Sequence, residues 1–209
     1  MINWCHSTQL KPDSVCNIME TIHLEKQGET LRFLSPEDPD TGRLDIELIM
    51  APGKTGPTPH IHTVSDEGFE VISGILAVSI DRKETILHAG EKAVVKAGQV
   101  HTFRNGSNTE PVICRGYITP ARNFRYLIRE MARSANERGG SWDDVSLLQA
   151  GYVLFLLRKE YRLGGLPFFM QDILFGILAG IAKLTGQAKL IAPLPPQNIT
   201  VTVTAGAAR

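Results

Sequence analysis

Three things are scarce in this 209-residue chain: cysteine, net charge and long uncharged apolar runs. The three cysteines, Cys5, Cys16 and Cys114, cannot all pair, and their scatter lacks the short CxxC spacing of zinc and redox motifs. A disulfide framework is therefore excluded, and free thiols are expected. Twenty-two basic residues offset twenty-two acidic ones with no basic patch, which removes the electrostatic footprint of a nucleic-acid binder. The most apolar stretch, around Leu166 to Leu184, has an uncharged run of only ten residues between Asp172 and Lys183. A membrane-crossing helix needs about 20, so membrane attachment is not expected. No basic segment followed by an apolar run opens the chain at Met1-Ile2-Asn3-Trp4, and a cytoplasmic setting follows as the expectation.

What is present suits one sizeable core. At 43% hydrophobic residues, the chain can fill a barrel and leave material for a smaller second unit. Residues 20–119 read as short β-rich runs, such as 44–48 and 71–78, parted by turn signals at Pro39-Asp40, Pro52-Gly53, Asp81-Arg82-Lys83 and Asn105-Gly106. Turns at such intervals point to an all-β barrel or sandwich. After Pro120 the period changes: Phe124, Leu127, Ile128, Met131 and Ala135 predict a helix over about 122–137, stopped by Gly139-Gly140. Ser141-Trp142-Asp143-Asp144 resembles a capping box opening a second helix that runs to about Arg162, and a third runs from near Pro167 to about Gly186. Pro193-Leu194-Pro195-Pro196 reads as a stiff connector to a terminal strand at 199–204. The expected division is therefore a barrel with N-terminal strands over 1–119, a helical extension over 120–192 and an extended tail over 193–209.

The residues that carry chemistry cluster in the β-rich part. His60 and His62 fall on one face of a strand, because side chains alternate with period two. Glu67 follows shortly, and His101 comes after a glycine-bounded hairpin. Three imidazoles and one carboxylate suit a divalent transition metal. The spacing is more specific than the ligands alone: Gly53, His60-x-His62, Glu67 and Gly74, then Gly90, Gly98, His101 and Asn105. This pattern resembles the two consecutive signature motifs of the cupin superfamily, with one extra residue between Gly53 and His60 and with Lys96 where proline is usual.

The resemblance implies a mainly β fold, the cupin double-stranded β-helix or jelly-roll barrel, here followed by a helical appendage of about three helices. It implies one divalent metal per chain (Fe, Mn, Ni, Co, Cu or Zn) held by His60, His62, Glu67 and His101. Among cupins with this ligand set the quercetin-dioxygenase-like members are the nearest in kind, and a metal-dependent, dioxygenase-like oxidoreductase is the expected activity. A non-enzymatic cupin that binds or senses a small molecule or metal is the alternative. Glu67 is the candidate catalytic base as well as a ligand. Strand alternation places Phe69, Val71 and Phe103 beside the metal, and Tyr117 joins them if its hydroxyl faces the cavity. Such a pocket suits a small, partly apolar organic molecule. Cupins commonly pair through their sheets, so a homodimer is expected, and no nucleic acid.

Overall fold

The computed structural model describes residues 20–195; the strand expected at 199–204 lies outside them. Eleven strands and three α-helices follow one another among the described residues. β1 (Glu20–Leu24), β2 (Glu29–Phe33) and β3 (Leu44–Met50) form an antiparallel meander. β4 (His60–His62), β5 (Asp66–Ser73), β6 (Ile75–Ile80), β7 (Lys83–His88), β8 (Lys92–Val95), β9 (Val100–Asn105) and β10 (Val112–Thr119) complete the β-rich part. Then come α1 (Phe124–Asn136), α2 (Leu147–Leu156), β11 (Tyr161–Leu163) and α3 (Phe168–Leu184).

Two antiparallel sheets face each other, with strand orders β1-β2-β3-β10-β5-β8 and β11-β4-β9-β6-β7. The expected jelly-roll with a C-terminal helical appendage is what the chain adopts. Alternation builds the core: Leu44, Ile46, Leu48 and Met50 are buried on one face of β3, and Val112, Cys114 and Ile118 on one face of β10. Asn105, at the end of β9, ties the hairpin corner together, its Nδ2 reaching the carbonyls of Met50, Ala51 and Glu110 while its Oδ1 accepts from the Ser107 amide.

The helical part departs from expectation at two points. The capping box at Ser141 is present, but it caps only a 3-10 turn over Trp142–Asp144, and α2 starts afresh at Leu147. Extended Val145 and Ser146 separate the two, and the Ser146 amide donates to Ser134 Oγ on α1. The second helix also stops at Leu156 rather than near Arg162, and Tyr161–Leu163 become a strand paired with β4: Tyr161 with His62, Arg162 with Ile61 and Leu163 with His60. Tertiary pairing overrides a weak local preference here. Without β11, β4 would present unpaired amides and carbonyls at the edge of its sheet. The side chain of Gln171, fully buried on α3, clamps the new strand by accepting from the Leu163 amide and donating to the Leu163 carbonyl. α2 and α3 pack so closely that a Cβ at Gly151 would lie 2.6 Å from that of Leu178.

The outer face of α3 is apolar and exposed at Phe169, Ile173, Ile177 and Leu184. Among the described residues no helix is long and apolar enough to cross a membrane.

Candidate metal centre and its cavity

β4, β5 and β9 bring the four expected ligands together. His60 and His101 face each other in register across β4 and β9, with ring centroids 4.2 Å apart. Glu67 reaches in from β5 of the opposite sheet, so the cluster bridges the two layers. One ligand atom from each of His60, His62, Glu67 and His101 lies within 4.8 Å of all the others. Glu67 Oε2 is 2.8 Å from His101 Nε2 and 4.0 Å from His62 Nε2.

The donor set fits a metal ion in its details as well as its composition. Nδ1 of His60 lies 3.0 Å from the Thr58 carbonyl and Nδ1 of His101 lies 3.3 Å from that of Gln99. Each ring thereby has its proton on Nδ1 and turns Nε2 toward the cluster, the arrangement that orients imidazole ligands. Burial, reinforced by the neighbouring His101, pushes His60 down to about 3. Burial and the two other imidazoles hold His62 well below the usual histidine range. Both are neutral and able to ligate at pH 7. His101 differs: burial pulls it down, but the hydrogen bond and charge of Glu67 outweigh that and raise it. A cation held here would take the place of the proton between His101 and Glu67.

Of the other sequence-predicted site residues, Phe69 and Phe103 line the cavity beside the cluster, their ring centroids 5.4 Å apart. Val71 is fully buried in the core and does not line it. Tyr117 must be corrected. It lies on the outer face of β10, its ring filling the space above Gly68, where a Cβ would come within 2.1 Å of it, and the Arg43 guanidinium covers its other side at 4.1 Å. Its hydroxyl does not face the cavity.

Two aromatics beyond the barrel meet the cluster: Tyr161, supplied by β11, with its ring centroid 5.1 Å from that of His62, and Phe124 of α1 at 6.0 Å. The Tyr161 hydroxyl is buried without a hydrogen-bond partner, as is His62 Nδ1. Burial, with the negative charges of Glu160 and Glu67, holds the phenol well above its usual range, so it stays a proton donor at neutral pH. The sequence offered one signal for it: charged Arg158-Lys159-Glu160 ends the apolar period of α2 just before Tyr161.

The cavity holds about 610 Å³ and runs from the histidines under the helices, past Leu31, Leu48, Leu127, Met131 and Leu154. Its far wall carries Glu29, Gln27 and Trp142, none of them foreseen from sequence. Glu29 is 5% exposed, and its Oε2 accepts from Trp142 Nε1 at 3.0 Å. Burial, partly offset by that hydrogen bond, pushes its carboxyl up from 4.5 to about 7. A carboxyl with a raised folded value costs stability as pH rises. Below pH 4.5 both states hold the proton; between 4.5 and 7 the unfolded chain ionises while the folded one does not; above 7 the folded state carries the full penalty. Glu29→Gln removes that penalty, so urea unfolding should show the variant gaining on the parent by about 3 kcal/mol between pH 4 and pH 8. A gap that stays constant over that range would contradict the assignment.

Residues 46–114 match the family model of the cupin domain. The barrel is a cupin domain. No curated protein matches the chain. Among solved structures, the cupin is similar to KdgF from a Halomonas species, at 19% identity over 51% of this chain and 90% of that one, with a TM-score of 0.44. It is similar also to TT1209 from Thermus thermophilus, at 21% identity over 47% of this chain and 89% of that one, TM-score 0.41. A third is the Cupin_2 domain of an XRE-family transcriptional regulator from Enterobacter cloacae, at 28% identity over 44% of this chain and 95% of that one, TM-score 0.39.

Proposed function

We propose that this cupin is a metal-dependent, dioxygenase-like oxidoreductase acting on a small, partly apolar organic substrate. The observation that carries the reading is the position of the ligands: His60, His62 and Glu67 stand in the wall of a largely apolar cavity of ligand size, and buried His101 completes the cluster with them. A divalent transition metal held by His60, His62, Glu67 and His101 would supply Lewis acidity and redox chemistry.

The chain's own groups have separate tasks around it. Glu67 Oε2, now paired with His101 Nε2, is placed to accept a proton from a substrate hydroxyl or enol. Tyr161 packs its ring edge-on against His62 and so helps to hold that imidazole in place. Phe69, Phe103 and Phe124 line the cavity and exclude water around the reacting group. Arg162 is the one lysine or arginine among the lining residues, and it is occupied by Asp172 at 2.7 Å. That leaves no free cation for a phosphorylated substrate among the described lining residues, a further reason to favour one without phosphate.

The same reading includes a homodimer, supported by the exposed apolar face of α3, whose two charged residues are Asp172 and Lys183.

Oxygen uptake by the metal-loaded protein over a panel of diketones and hydroxylated aromatics tests the activity. Consumption should appear with at least one substrate and fall by about two orders of magnitude in Glu67→Gln, a scale ordinary for loss of a positioned acid–base group. Full metal loading with tight substrate binding and no oxygen consumption would instead favour a binding or sensing cupin.

A further inference from the structure

The cavity has a second polar station that the metal chemistry does not use. β3 and β10 lie between β2, which carries Glu29, and β5, which carries Glu67. Three strand spacings of about 4.8 Å place the two carboxylates roughly 14 Å apart across the sheet. The registers move them further apart along it: Glu29 pairs with Met50 at one end of β3, while Glu67 pairs with Ile118, which pairs with Leu44 at the other. The wall between the two stations is hydrocarbon, built from Leu31, Ile46, Leu48, Phe69 and Cys114 with the helices above.

The distal station is a built one. Gln27 is held on both sides, its Nε2 donating to the Thr55 carbonyl and its Oε1 accepting from Ser141 Oγ. Trp142 is fixed over Glu29 by its indole hydrogen bond. Gln27 therefore has no role left but to frame the site. Glu29 is different: the Trp142 bond is the only hydrogen bond of its side chain among the described residues, and its Oε1 has none. A nearly buried carboxyl on a cavity wall, with one oxygen that takes no hydrogen bond from the described residues, is open to a donor that displaces cavity water.

We propose that the ligand of this cavity is an elongated, mainly hydrocarbon molecule that places an oxygen-based chelating group at the histidine cluster and a hydroxyl donor at Glu29. The metal end of this assignment rests on the function proposed above; the Glu29 end does not. The hydroxyl donates to Oε1 while Trp142 keeps Oε2. A molecule lacking the donor leaves the carboxyl unsatisfied, and sites built to bond a ligand hydroxyl discriminate strongly for that reason. The raised affinity of Glu29 for its proton is in keeping with this, since a neutral hydroxyl is served by either protonation state.

The test uses the full chain with Trp4→Phe, so that Trp142, the second of two tryptophans, reports the distal station by its fluorescence. Metal-loaded protein is titrated, below micellar concentrations, with ω-hydroxyalkanoates of about ten to twenty-two carbons and with the parent alkanoates, a series bracketing the span of about 24 Å set by strand spacing and register together. At one chain length the hydroxy acid should bind about tenfold more tightly than its parent, the gain expected of a hydrogen bond to a charged or polarised acceptor. Glu29→Leu should abolish that preference while leaving parent binding intact. Glu29→Gln, which keeps an acceptor for Trp142 and hence the local fold, should retain part of it. Equal affinity of hydroxy and parent acids at every length, or a preference that survives Glu29→Leu, overturns the proposal. The same titration on metal-free His62→Ala separates the two ends. A hydroxyl preference persisting there supports the Glu29 station independently of the metal, and metal loading without any preference overturns the station alone.

Discussion

Alanine in place of His62 or of His101 is expected to lower the metal affinity of this protein by roughly 100-fold or more, beyond the 10- to 100-fold that follows loss of a group merely supporting a ligand. Both residues are almost fully buried, at 3% and 1% exposure, and turn Nε2 toward Glu67. No solvent-exposed group could take their place without rebuilding the wall. Elemental analysis of purified parent should give about one transition metal per chain, and of either variant far less, with far-ultraviolet circular dichroism unchanged. Glu67→Gln should be milder in binding than in activity, since the amide keeps the shape and one oxygen but loses the charge. Full occupancy in both alanine variants would remove these residues from the site.

Deleting everything after Pro120 should be worse for the molecule than any single substitution. Phe124 of α1, Val153 of α2, Leu157 just beyond it and Tyr161 of β11 belong to the same buried cluster as the barrel's Phe33, Leu44 and Ile118. At about 2 kcal/mol for each large apolar side chain, their loss approaches the whole stability of an ordinary domain, about 5–15 kcal/mol. The cut also leaves β4 unpaired on one side and opens the apolar wall of the cavity to water. Residues 1–120 expressed alone should aggregate and hold little metal, as size-exclusion chromatography with elemental analysis would show. A soluble, metal-loaded fragment would mean that the helical segment is dispensable to the barrel.

The parts of the site that were legible in the sequence are local. His60 and His62 share a face by alternation alone, and the glycine-bounded hairpins set which strands follow them. Positive backbone φ at Gly53, Gly74, Gly90 and Gly98 shows why glycine stands at those corners. The face of β10 could have been read and was not: Arg115 marks the solvent side, and Tyr117, two residues on, shares it, against its expected place in the pocket. What could not be read was pairing between distant segments. Nothing in Tyr161-Arg162-Leu163 itself distinguishes one more turn of α2 from a strand, because the deciding partner, β4, lies about a hundred residues earlier. Glu29 was likewise visible as a strand residue, but only the approach of Trp142 makes it the polar end of a cavity.

Because β11 is bonded to the strand bearing two of the candidate ligands, ordering of the helices and retention of an ion held there would be a single linked equilibrium. An ion that binds only when His60 and His62 are aligned adds its binding free energy to the seating of Tyr161–Leu163, and through Gln171 to that of α3. The linkage is reciprocal. Anything that grips or loosens the outside of α3 would therefore adjust how tightly an ion is kept, from a surface that never touches it.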